Sequence, residues 1–121
     1  MIEHKFDLQA VQHLKALPAE QVVPLLPDIM TWMQDMNWPV AKPVVELLLM
    51  YPNEITPLVL QVLEGDDEMW IYWCLEQLVV KLPFYLKLVL HDAVEQIANG
   101  ARGFHEDIVG LAQQALQSFE P

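Results

Sequence analysis

Apolar residues recur along this chain at intervals of three and four, in runs cut by proline, glycine and short polar clusters. That spacing predicts a series of amphipathic helices. The first should start at Asp7, whose carboxylate can cap the free amides of Gln9 and Ala10. Phe6 and Val11 are placed for a hydrophobic staple across that cap. Ala10, Val11, Leu14 and Leu17 form its stripe, and Pro18 stops it because proline has no amide proton. A short turn to Val23 should follow, then a helix from about Pro24 through Met33. Proline is tolerated where the amide would be unpaired, so Pro24 and Pro27 mark helix starts. Leu25, Leu26, Ile29, Met30 and Met33 make the buried face.

Asp35 to Asn37 is a polar corner. Asn37 or Asp35 is expected to cap the next helix, with Pro39 in its first turn and Val40, Val44, Leu47 and Leu48 inward as far as Met50. Pro43 is expected to cost that helix a hydrogen bond and bend it. Tyr51-Pro52-Asn53 breaks the chain, and Asn53 should cap Glu54 to Leu63, ended by Gly65 as a C-terminal glycine. Ile55, Leu58, Val59, Val62 and Leu63 face inward. Asp66, Asp67 and Glu68 suit the positive end of a following helix, Met69 to Leu82, with Ile71, Cys74, Leu75, Leu78, Val79 and Leu82 inward. Pro83 opens Phe84 to Ala98, with Leu86, Val89, Leu90, Val94 and Ile97 apolar. Asn99 to Gly103 reads as a plain loop. The last helix carries Phe104, Ile108, Leu111, Ala112, Ala115 and Phe119, with Glu106 and Asp107 in its first turn. No segment alternates strictly enough for a strand.

The pattern also repeats. Trp38 and Trp70 lie 32 residues apart, as do Asp35 and Asp67, and Pro24-Leu25-Leu26 is echoed by Pro57-Leu58-Val59 at nearly that offset. A helix pair recurring in this range marks an α-solenoid, because one pair cannot bury its apolar face alone. The expected fold is all-α: a single domain over 1–121, a short HEAT-like α-solenoid of about six or seven antiparallel helices.

Composition narrows the function. At 121 residues, 54% of them hydrophobic, the chain can bury a core and is not disordered. Its apolar runs are too short for a membrane span, and Met1 to Asp7 carries charges where a signal peptide needs an apolar stretch. One cysteine excludes an internal disulfide and fits a reducing compartment, so a soluble, cytoplasmic protein is expected. With 17 acids against 6 bases the net charge is −11. That field repels nucleic-acid phosphates and anionic membranes and attracts a basic partner. It also keeps an apolar-rich chain in solution.

Trp32-Met33-Gln34-Asp35-Met36-Asn37-Trp38-Pro39-Val40-Ala41, with the later Asp66-Asp67-Glu68-Met69-Trp70-Ile71-Tyr72-Trp73, resembles a small bacterial family of uncharacterised proteins of about this length. Its pattern reads W-x-Q-D-M-N-W-P-x-A, then D-D-x-x-W-x-Y-W. The resemblance covers the central half of the chain. It implies a HEAT-like helical stack and carries no catalytic residues or cofactor.

The side chains give little purchase for catalysis. Ser118 sits near the C-terminus, and Cys74 lies on an apolar face, where a nucleophile would have neither base nor access. His4, His13, His91 and His105 have no partner at metal-ligand spacing, and the four glycines make no phosphate loop. A non-enzymatic interaction module without cofactor is therefore the expected function. If the repeats stack in register, Asp35, Asn37 and Trp38 join Asp66, Asp67, Glu68, Trp70 and Trp73 along one acidic, tryptophan-lined edge. Such an edge suits a basic protein partner, as in an immunity-type protein that masks a basic toxin. The alternative reading of the rings is as wedges between helices, and of the acids as helix caps. A rival function is a metal-dependent hydrolase built on Asp35, Asp66, Asp67 and Glu68, whose oxygen ligands would suit calcium or magnesium.

Overall fold

The computed structural model describes residues 1–119 and is all-α. Its helices are α1 (Leu8–Ala16), the single turn α2 (Ala19–Val22), α3 (Leu26–Met30), α4 (Ala41–Leu48), α5 (Pro52–Leu63), α6 (Glu68–Gln77), α7 (Phe84–Ala98) and α8 (Glu106–Gln117). Tight 3-10 turns at Val23–Leu25, Thr31–Met33 and Val79–Lys81 link or extend them. Among the described residues, seven helices therefore have five residues or more.

The prolines account for several boundaries. Pro24 and Pro27 each fall at the first or second position of a new short segment, so the expected helix from Pro24 to Met33 is divided into a 3-10 turn, α3 and a second 3-10 turn. Pro43 proves harmless. Helix α4 begins at Ala41, so Pro43 stands among the leading amides that have no intrahelical acceptor, and the first full-turn bond is Val44 N–H to Val40 O at 2.9 Å. Neither Asp35 nor Asn37 caps α4. Val40 occupies the cap without a side-chain bond, and Asp35 Oδ1 instead accepts the Asn37 amide at 2.8 Å in a local turn. Asn53 is likewise no cap: Pro52 takes the first position of α5, and Asn53 Oδ1 accepts the Tyr85 hydroxyl of α7 at 2.7 Å. Asp7 does cap α1, through Oδ1 to Ala10 N at 3.3 Å. The staple is absent, since Phe6 is exposed beneath the Lys5 ammonium.

Packing follows a layered plan. Helices α1 and α3 lie against α4. The last four helices form two hairpins, α5–α6 and α7–α8, whose short connections make antiparallel neighbours. The second hairpin stacks on the first, α7 on α5 and α8 on α6. One continuous core runs through both, built on Leu26, Ile29, Met30, Met33, Leu47, Leu48, Ile55, Leu63, Ile71, Leu75, Leu78 and Leu90. One expectation for α7 is reversed. Val89 faces solvent, whereas Lys87 is buried and donates through Nζ to Ser118 O at 3.1 Å, at the end of α8. The core seam of α7 runs through Leu86, Leu90, Val94 and Ile97. Lys87 lies one position to its side, where a carbonyl accepts its proton and its alkyl stem packs.

Gly65 differs from the expected left-handed helix stop, because its φ is not positive. The end of α5 is held from elsewhere. Arg102, in the α7–α8 connection, donates to Leu63 O (2.7 Å), Glu64 O (3.4 Å) and Gly65 O (2.5 Å). Its guanidinium also lies 4.6 Å from the centre of the Phe104 ring. The run read as a plain loop is thus a clamp across the two hairpins. Gly100 (φ 82°) and Gly103 (φ 70°) make the reversals that aim it, conformations that disfavour side chains with a Cβ.

Candidate functional site: two cavities flanking helix α6

The acidic run Asp66-Asp67-Glu68 opens α6, and each carboxylate has its own surroundings. Asp67 Oδ1 accepts the Trp70 amide at 3.1 Å and so caps the helix. Glu68 Oε1 accepts the His105 amide at 3.0 Å, joining the start of α6 to that of α8. Asp66 is fully exposed, 3.7 Å from the Arg102 guanidinium. Asp107 on α8 is also exposed, beside the His105 ring that caps that helix.

Two cavities lie beside the first turns of α6. The first holds about 330 Å³ and is lined by Pro27 and Met30 of α3, Leu58, Gln61 and Val62 of α5, and Gly65, Asp66, Asp67 and Trp70. The second holds about 550 Å³ between α6 and α8, lined by Glu68, Met69, Tyr72, Trp73, His105, Asp107 and Ile108. In its wall Tyr72 and Trp73 meet edge to face, centroids 4.8 Å apart at 84°. Each cavity therefore combines apolar or aromatic walls with two carboxylate residues. That is a combination suited to a long cationic side chain, whose stem is apolar and whose tip is charged.

Of the residues singled out from sequence, Asp66, Asp67 and Trp70 share the first cavity and Glu68 and Trp73 the second. Asp35, Asn37 and Trp38 line neither. They form a separate corner ahead of α4, where Trp38 packs on Trp32 at 5.8 Å between centroids. The two tryptophans also differ in position: Trp38 precedes α4, whereas Trp70 lies within α6. The carboxylates do not converge, and no group of three or more His, Cys, Asp or Glu side chains able to hold a metal occurs among the described residues. Tyr72, His105 and Asp107 complete the second cavity. His105 and Asp107 escaped sequence reasoning because α8 lies beside α6 only through the stacking of hairpins, which local periodicity does not encode; Tyr72, on α6 itself, stands in the D-D-x-x-W-x-Y-W run but is not singled out by it.

Cys74, on the inner face of α6, is buried and free. Burial foremost, and then the Asp67 carboxylate, push its thiol well above the ordinary range. The reactive thiolate is thus suppressed. Cys74 in the native protein should resist alkylation at mildly alkaline pH and react promptly in urea. Rapid native labelling would show that α6 opens. Replacing Asp67 by alanine should cost about 1 kcal/mol of unfolding free energy through loss of the cap, with asparagine restoring most of it in a denaturant titration.

An all-helical protein of stacked hairpins with an acidic, aromatic-walled face is the class these features define. The chain belongs to the family described as domain of unknown function DUF5071, whose model matches residues 1–119. No curated protein matches the chain.

Proposed function

We propose that this protein is a non-enzymatic interaction module that binds a basic protein through the face around the start of α6. The observation that carries the reading is the second cavity, where Tyr72 and Trp73 stand beside Glu68 and Asp107. Asp67 caps α6 and Glu68 ties it to α8, whereas Asp66 and Asp107 keep their carboxylates exposed beside Arg102 and His105, where a partner can reach them. A net charge of −11 would speed encounter with a cationic surface. Helix α7 packed on α5 and α8 on α6 support a HEAT-like repeat architecture, in which successive hairpins present a shared face. Within this reading, an immunity-type role in a bacterial cytoplasm is the more specific form, with a basic toxin as the partner. No helix among the described residues is long and apolar enough to cross a membrane.

The test compares wild type with Asp107→Lys and Asp66→Lys, exposed acids that cap no helix. Affinity capture from native lysate at low salt should recover a basic protein that high salt releases. The Asp107→Lys protein, folded and only about 1 kcal/mol less stable because a cation then stands in the first turn of α8, should lose most of it, because reversing a rim charge slows association and changes its salt dependence. Capture unaffected by either substitution or by salt would overturn the reading.

A further inference from the structure

The ring of His105 stands where the two helices that wall the second cavity meet. Its Nδ1 accepts the Asp107 amide at 3.1 Å and so caps α8. A ring nitrogen that accepts a hydrogen bond carries no proton, so in this geometry the imidazole is neutral and holds its proton on Nε2. The backbone N–H of the same residue is bound by Glu68 Oε1 at 3.0 Å. Nδ1 also lies 3.6 Å from Oδ2 of Asp107, the exposed carboxylate on the rim of the cavity.

A proton on Nδ1 changes three things at once. It removes the acceptor of the Asp107 amide. It turns the 3.6 Å approach to Asp107 into an ion pair, so the rim carboxylate gains a cation from within the protein. It also places positive charge in the wall of a cavity whose other charged side chains are Glu68 and Asp107. Carboxylates, phenols and guanidinium groups ordinarily hold one charge state between about pH 5.5 and 7.5, whereas imidazole does not. Around the ring those groups are Asp66, Asp67, Glu68 and Tyr72 at and after the start of α6, Glu106 and Asp107 on α8, and Arg102 in the connection before it. His105 is therefore the member of this set whose charge responds to pH in that window. Its side chain is 64% exposed, so protons reach it freely, and solvent limits the effect of its charge to the few-fold range of surface ion pairs.

We propose, on the reading of this cavity as the receptor for a basic partner, that His105 gates it by charge. A cationic side chain is held while the ring is neutral and is released when the ring takes a proton and pairs with Asp107 itself. Affinity for the cation thus falls as pH falls.

Titration of the protein with N-acetyl-arginine amide, followed through the indole N–H resonance of Trp73, tests the gate. The probe keeps its single positive charge throughout, because guanidinium does not titrate in this range. Its dissociation constant should be about fivefold higher at pH 5.5 than at pH 7.5. His105→Asn retains a side-chain acceptor for the Asp107 amide and cannot be protonated, so it should bring that ratio close to one. His4, His13 and His91 remain in the variant, which assigns the change to His105. A second readout needs no substitution. Because coupling between proton and cation is reciprocal, saturating probe should shift the titration of the His105 ring resonance to lower pH. A ratio near one in wild type, a ratio unchanged in His105→Asn, or a ring titration indifferent to the probe overturns the gate and leaves the cavity a receptor for cations. A Trp73 resonance that responds to the probe at neither pH overturns the gate and the cation-receptor reading together.

Discussion

Arg102→Ala is expected to lower the unfolding free energy by about 3 kcal/mol and the melting temperature by roughly ten degrees. The side chain is only 22% exposed, and its guanidinium serves three backbone carbonyls at the end of α5 while resting on Phe104. Hydrogen bonds from a charged donor contribute about 1.5–3 kcal/mol each when measured by removal, and these three share one group, so they do not add. Truncation also leaves the Leu63 and Gly65 carbonyls without their donor. Arg102→Lys keeps the charge but not the planar fork, and should recover less than half of the loss. Asp66→Ala removes only an exposed ion pair and should be close to neutral. Urea unfolding followed by circular dichroism reads all three. An Arg102→Ala protein as stable as wild type would show that the α7–α8 connection does not hold the hairpins together.

Local chemistry was the legible part of this chain. The period of three and four placed the helices, and Pro18, Pro83 and the Asp67 cap set real boundaries. What failed was whatever depended on distant partners. Asn53 looked like a cap because Asn is a good one, yet Pro52 already supplies a suitable first residue, and the amide oxygen is taken by Tyr85. Lys87 is buried because the end of α8 provides its acceptor, which no local pattern reveals. Arg102 looked like loop because its three acceptors lie nearly forty residues earlier. The aligned tryptophans misled in a different way. An equal spacing in sequence does not demand equal positions in two helices, and the hairpins that do stack, α5–α6 and α7–α8, begin at Pro52 and Phe84.

Trp70 gives the second large effect, and its two substitutions should diverge. The ring is partly buried against α3 and α5 across the first cavity, and its indole N–H is buried without a partner in the protein. Trp70→Ala should cost about 3 kcal/mol, the lower end for truncating a large aromatic, since some of the ring is already in contact with solvent. Trp70→Phe keeps much of the buried area and removes a donor whose desolvation opposes folding by about 1–3 kcal/mol. The phenylalanine protein should therefore lie within about 1 kcal/mol of wild type despite its smaller ring. The same pairing applies to Trp73, whose N–H is equally unpartnered and whose ring walls the second cavity with Tyr72. There the two readouts separate stability from recognition. Trp73→Phe should fold almost as well as wild type, and if the cavity reads a cationic side chain it should bind more weakly, because indole is the better partner for a cation. A Trp70→Ala protein with wild-type stability would show that its ring is not a wedge between helices.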